Sequence, residues 1–457
     1  MKGDFSRDTF NPHKHFSRVL QQQGRVQLDA DTNEQTAILL HYLRTLAADL
    51  IGPYARPAGS DGFKITGYEG GNFSISAGRF YVDGILCENE DAEATYKNQP
   101  DYPDPPDLSD LLCKNGICLI YLDVWERHIT ELEDPDIREK ALGGPDTTTR
   151  TKVVCQVKVD AGDNDDGSCM FTSDLSCTTD IHCNWKAWKE CWQSDNRGRL
   201  RARVKLPEDS TDPCLAAPDA KYRGQENQLY RIEIHKGGQA KNGGNSCATF
   251  KWSRDNGSVV SRVVEFSGKE LVVEKPHGFK AGIWVEIISD GQELRGEPGS
   301  LVKLIKVDGD RFMLESPVPA SCTETERQPA KIKIRRWDQR GSGNLKLENG
   351  AVPITESNDN NDGWIEIENG IKIQFVPTCE DSGAHRYRTG DYWLIPARIA
   401  TGDIEWPQDD QDKEMPCAQL PHGIYHHYAP LAIIKTDGDS CDDLCCEFKP
   451  QYDCPCE

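Results

Sequence analysis

Apolar residues alternate with polar ones in short runs along nearly the whole chain, and only once do they recur at steps of three and four. A period of two sends successive side chains to opposite faces of a strand, whereas steps of three and four line one face of a helix. The chain is therefore expected to be mainly β, built of several small β-sandwich or barrel units with an N-terminal arm and one amphipathic helix. Alternating runs fall at Gly71–Ala77, Arg79–Leu86, Ile117–Trp125, Thr151–Val159, Leu229–His235, Thr249–Trp252 and Val259–Phe266, bounded by Gly, Asn, Asp and Pro. Trp364–Glu368 and Ile371–Phe375 flank Asn369-Gly370, a pair suited to a two-residue hairpin turn.

The helical pattern runs from about Asp31 to Ile51, where Leu39, Leu40, Leu43, Leu46 and Leu50 share a stripe. Asp31 or Thr32 is the expected cap, Glu34 sits in the first turn, and Gly52-Pro53 stops the helix. A single amphipathic helix on a polar arm cannot bury its own stripe, so it must dock on this chain or on a neighbour.

A chain of 457 residues exceeds what one core supports. In sequence order the expected parts are a docking arm and helix (1–60), the first part of a β-domain (61–159), a Cys-rich insertion (160–223), a continuation of the β-domain (224–266), a small β-barrel insertion (267–329), a C-terminal β-domain (330–435) and a Cys-rich tail (436–457). The barrel is expected because four or five short alternating strands crowd into Leu271–Pro317.

With 75 acidic and 53 basic residues, the net charge of −22 repels phosphate backbones and argues against nucleic acid as a partner. The one basic run, Lys331–Arg336, alternates with Ile and reads as a strand with one wet face. Apolar runs such as Ile117–Val124 are strand-sized, too short for a membrane-spanning helix. The N-terminal residues lack the apolar core of a signal peptide, which predicts assembly in the cytoplasm. Eighteen cysteines conflict with a reducing compartment. A particle built inside the cell and later released or exposed at a surface reconciles the two, as would bound metal or plain buried thiols.

Several constellations could carry chemistry. In Cys113-Lys114-Asn115-Gly116-Ile117-Cys118, a hairpin turning at Asn115-Gly116 would set Cys113 opposite Cys118, close enough for a disulfide, provided that Asp110–Cys113 is a strand. Cys169, Cys177, Cys183, Cys191 and Cys214 in the insertion, and Cys441, Cys445, Cys446, Cys454 and Cys456 in the tail, lack zinc-knuckle spacing and suit disulfide stapling better. Asn358–Gly363 fits only the first half of a calcium loop, because Asn369 stands where a bidentate carboxylate is needed. His426 and His427 are adjacent, so on a strand they face opposite ways and cannot share one ion. No nucleophile elbow, phosphate loop or dinucleotide fingerprint is present, and no cofactor, metal or catalytic residue is expected.

Met1–Asp31 (MKGDFSRDTFNPHKHFSRVLQQQGRVQLDAD) resembles the opening of a family of proteins found among components of phage-tail-like contractile injection systems. Gly78–Gly84 (GRFYVDG), Phe250–Gly257 (FKWSRDNG), Asp391–Arg398 (DYWLIPAR) and His426–Leu431 (HHYAPL) fit the same pattern, so the resemblance covers most of the chain. The Cys-rich insertion and tail read as peculiar to this sequence. The opening is also similar to the attachment end of phage tail-fibre and baseplate proteins. The resemblance implies a non-enzymatic structural subunit near the baseplate or fibre end. Its partners would be baseplate, tube or sheath subunits and copies of itself, and the assembled particle could touch a target-cell or membrane surface. Phe5, Phe10, His15, Phe16, Val19 and Leu20 are the expected docking residues, sparse apolar anchors on a polar arm, with packing on their own β-domain as the alternative. Two rival readings are a carbohydrate- or surface-binding module stacking ligands on Trp185, Trp188 and Trp192, and a polysaccharide-degrading enzyme using paired carboxylates.

Overall fold

A computed structural model describes residues 1–115, 117–144, 146–160, 185–186, 188–190, 192–193, 196–204, 221–241, 247–318, 332–341, 345–359, 362–378, 384–408, 415–435 and 441–449. The fold is mainly β with few helices. No helix among the described residues is long and apolar enough to cross a membrane. The chain forms two compact units: a barrel unit (Met1–Asp8, Thr130–Thr148, Asn196–Gly423) and a helix unit (Thr9–Ile129, Thr149–Asp195, Ile424–Glu457).

The barrel unit owes its name to a closed six-stranded barrel. Glu270–Val273, Trp284–Ser289, Ser300–Asp308 and Arg311–Leu314 supply the four strands inside the expected 267–329 segment. Four short strands do not close a barrel at this size. Closure comes from Val260–Ser267 and Ile332–Trp337, which pair with each other through Ser261 and Ile334 and complete the circle from outside that segment. The interior is filled by Val263, Val285, Ile287, Leu304, Phe312, Leu314, Ile332 and Ile334.

Beside the barrel in this unit lies a five-stranded sheet in which Gln228–Lys236 is flanked by Thr249–Ser253 and Tyr392–Arg398. A three-stranded sheet adds Arg199–Val204 to the hairpin of Ile365–Glu368 and Ile371–Val376. That hairpin turns at Asn369-Gly370 with φ of 51° and 83°, the left-handed pair that the two residues are chosen for.

The helix unit holds the long strand Ile117–Ile129, paired on one edge with Arg150–Asp160 and on the other with His427–Lys435. A four-stranded sheet contains Tyr54–Pro57, Gly78–Val82 and Ile85–Asn89, the last two joined at Asp83-Gly84. Thus residues 61–129 and 149–159 lie in this unit while 224–266 lie in the barrel unit, so the β-domain read as continuous across the insertion is divided between the two. The long helix runs Asp29–Ile51, starting two residues earlier than its expected cap. Leu28 occupies the cap position without a side-chain hydrogen bond, and Asp29 and Asp31 place negative charge in the first turn, where the helix dipole favours it. Gly52, at φ 94°, ends the helix.

Leu108–Asn115 is a helix and not a strand, which corrects the Cys113–Cys118 hairpin. The turn chemistry of Asn115-Gly116 was outweighed by a helical register over Leu108–Asn115. Cys118, the second residue of the long strand, is a buried free thiol, and the strand over Asp110–Cys113 on which the expected disulfide depended is absent; the side chain of Cys113 lies outside the described residues. Cys445 and Cys446 in the tail are free as well. Cys169, Cys177, Cys183, Cys191, Cys214, Cys454 and Cys456 lie outside the described residues.

Candidate docking surface and the charge network that anchors the arm

Strand Gln228–Lys236 alternates Tyr230, Ile232 and Ile234 with Arg231, Glu233 and His235. The first set enters a core with Phe250, Trp252, Phe375 and Trp393. Of the second set Arg231 and Glu233 are also buried, because the first residues of the chain lie over them, and His235 is half-buried. Glu233 is reached by Arg231 at 2.5 Å, Lys2 at 3.0 Å and Lys251 at 3.2 Å. Lys251 also pairs with Glu286 of the barrel and sits 4.3 Å over the Trp337 ring, whose Nε1 donates to Glu286 at 2.9 Å. Burial alone would raise the Glu233 carboxyl, but Lys2, Arg231 and Lys251 hold it well below the usual carboxylate range. Burial, with Lys251 adding to it, pushes His235 down to about 4.

The backbone of the arm is held too. The Met1 amine donates to Tyr392 Oη at 2.6 Å, and burial together with Arg231 and Lys2 lowers it to about 4. Arg231 donates to the Met1 carbonyl at 3.1 Å and Asn256 Nδ2 to the Gly3 carbonyl at 2.9 Å. Asn256 (φ 51°) and Gly257 (φ 64°) form the turn that presents this amide. Arg398 donates to the Ser6 carbonyl at 3.3 Å. Three segments that carry the resemblance, Met1–Asp8, Phe250–Gly257 and Asp391–Arg398, thus meet in the barrel unit. In the helix unit two others meet: His427 Nδ1 lies 2.8 Å from Asp83, and the neighbouring His426 turns instead to Asp123 at 2.7 Å. The two histidines engage different carboxylates, as opposite-facing neighbours must.

Within the helix unit the arm continues along the long helix. Thr9 Oγ1 donates to Glu34 at 2.6 Å, the Phe10 ring lies 5.9 Å from His41, and the Val19 amide donates to Gln35 at 2.8 Å. A 3₁₀ turn, Pro12–Lys14, is capped by Asn11 and closes on His15 in the left-handed region. Phe10, Pro12, His15, Phe16, Ile38 and Tyr42 line a cleft of about 190 Å³. Of the expected docking residues, Phe5, Phe10 and Val19 are half-buried on their own chain, whereas His15, Phe16 and Leu20 are exposed.

The helix itself buries only Ala30 and Ile38. Arg44 pairs with Glu126 at 2.7 Å, and Gly84 packs under the Arg44 carbonyl so closely that a Cβ would lie 2.0 Å from that oxygen. Leu39, Leu40, Tyr42, Leu43, Leu46 and Leu50 are all exposed, Leu50 by 76%. The apolar stripe legible in the sequence is the face that the described residues leave uncovered.

Two sequence readings are corrected. Trp185 and Trp188 are buried in the core of the helix unit, and Trp192 stacks on Tyr121 at 4.4 Å and donates to Asp160 at 2.9 Å. They fill a core and offer no ligand platform. The strand Ile332–Trp337 has no wet face: Lys333 is buried with its ammonium 2.6 Å from Glu133, 2.9 Å from Asp290 and 2.5 Å from Glu293, and Arg335 donates to the Gly257 carbonyl. Glu133, Asp290 and Glu293 are spaced as metal ligands could be, but Lys333 already supplies the positive charge at their centre. Of the partial calcium loop, Asn360 and Asn361 fall outside the described residues. Asp359 and Asp362 serve the loop itself, their carbonyls accepting from Gln374.

No curated protein and no solved structure matches the chain. One family model matches residues 1–175 and 191–455, so it passes over 176–190 in the Cys-rich stretch but includes most of the tail. Because that match covers nearly the whole chain, the chain belongs to a family of unknown function, DUF6519.

Proposed function

We propose that this chain is a structural, non-enzymatic subunit of a phage-tail-like contractile injection particle, at the baseplate or fibre end, assembling through its arm and long helix. The supporting observation is the exposed stripe Leu39–Leu43–Leu46–Leu50 beside exposed Phe16 and Leu20. A stripe of exposed leucines of this kind on an otherwise highly charged chain marks a surface built to be covered. The partners are baseplate, tube or sheath subunits; assembly begins in the cytoplasm, and the particle is later released or held at a surface. The test is to tag the C terminus in the host, sediment large particles from a lysate, and identify what travels with the chain by mass spectrometry and electron microscopy. Co-sedimentation with tube and sheath subunits and label at one end of the particle is expected. A chain that stays soluble and alone overturns the reading.

A further inference from the structure

We infer that the stripe Leu39–Leu43–Leu46–Leu50 is covered by the same helix of a second copy of this chain. The inference rests on the assembly reading above and names the partner for its docking surface. Spacing is the first argument. Steps of four, three and four are the a/d repeat of a coiled-coil seam, and a seam of that period is filled by an equal seam, each leucine entering a hole between four residues of the facing helix.

Orientation is the second. Ile38, the Arg44–Glu126 ion pair and the close approach of Gly84 to the Arg44 carbonyl fix the helix by its other side, so the leucines cannot rotate inward without breaking all three. Leu40 and Tyr42 are exposed on either flank of the seam and extend its apolar surface.

Charge is the third. Copies of a chain with net charge −22 repel at a distance, yet between Leu39 and Leu50 the acidic and basic side chains apart from His41 are only Arg44, already paired with Glu126, and Asp49 at the end of the stripe. Self-contact therefore brings a single carboxylate per chain, Asp49, to the end of the seam, and a strongly charged partner would find little to pair with. Together with Phe16 and Leu20, the large apolar side chains of Leu39, Leu40, Tyr42, Leu43, Leu46 and Leu50 are exposed for such a contact.

The full chain at tens of micromolar is examined by light scattering coupled to size exclusion, beside the double variant Leu43→Glu/Leu46→Glu. The wild type is expected at a multiple of the single-chain mass and the variant at the single-chain mass, with unchanged circular dichroism because both positions are exposed. Independently, a photo-crosslinking phenylalanine analogue at position 46 is expected to join two chains through peptides of this helix. A wild type at single-chain mass with no such crosslink overturns the inference, as does an oligomer that survives the double variant and crosslinks elsewhere. Sedimentation separates the two ideas: a single-chain protein that still travels with particles ends self-association alone, and a self-associating protein that never does so ends the particle reading alone.

Discussion

The ammonium of Lys2 lies 3.0 Å from the carboxylate of Glu233, joining the first residues of the chain to the middle of a buried strand. Arg231 and Lys251 approach the same carboxylate, so one anion holds three cations out of water. Removing it takes away the carboxylate that Lys2 and Arg231 share, while Lys251 keeps Glu286, and breaking a buried pair of this kind costs about 3–5 kcal/mol. Glu233→Gln is expected to lower stability by roughly that amount in urea denaturation, and a loss below about 1 kcal/mol would contradict the network.

His235 gives the same region a pH dependence. Its folded pKa, about 4, lies below the unfolded value near 6.5, so the folded state keeps it neutral while the unfolded chain takes up a proton. Stability from this group is therefore full above pH 6.5 and falls as the pH drops toward 4, by about 3 kcal/mol in all. Glu233, whose folded pKa is depressed, adds a further loss that begins below its ordinary 4.5. Denaturation of His235→Gln across pH 4–7 is expected to show a flatter profile than wild type between pH 6.5 and 4.

Trp185 sits edge-on to Trp188 and Trp192 and beside Tyr54 inside the helix unit. Trp185→Ala is expected to cost about 3–5 kcal/mol through the cavity it leaves. Thermal unfolding measures this, and a variant as stable as wild type would return the ring to the surface.

Gly84 combines a φ of 77° with a Cβ position 2.0 Å from the Arg44 carbonyl oxygen. Gly84→Ala must displace either the turn or the long helix, and a loss on the order of 2 kcal/mol or more is expected in chemical denaturation. A neutral effect would mean that the helix is not seated on this turn.

Cys118 is fully buried and free, opposite Ile434 in the neighbouring strand. Without reductant, it is expected to resist alkylation in the native protein and to react completely once the chain is unfolded. Recovery of a Cys113–Cys118 disulfide peptide would reinstate the hairpin in place of the helix Leu108–Asn115.

Local rules carried the sequence reading a long way. The period of two located the strands, the three- and four-residue steps located the long helix, and Asn369-Gly370 turned as its left-handed preference requires. Asn115-Gly116 shows the limit: its Asn115 is the last residue of a helix, because turn chemistry permits a hairpin without compelling its neighbours to pair. The candidate surface was legible as a stripe of leucines, but its exposure was not, since periodicity says which residues share a face and nothing of what lies against it. The charge network leaves only an indirect trace in the sequence, namely that its residues fall within Met1–Asp31, Phe250–Gly257 and Asp391–Arg398 among other segments, whose meeting no local pattern shows.

By itself, then, the sequence determined the local conformations: the strands, their turns, the long helix and its apolar face. Tertiary structure alone decided which faces are dry. Arg231 and Glu233, Lys333 and Arg335 alternate with apolar residues as half-wet strands do, yet all four are buried. Their counter-charges and acceptors arrive from segments far off in the chain, Lys2, Glu133 and Gly257 among them. Alternation fixes only that neighbours point apart. Whether water, a distant segment of the same chain or another molecule fills the space they point into is set by long-range contacts that no local pattern encodes.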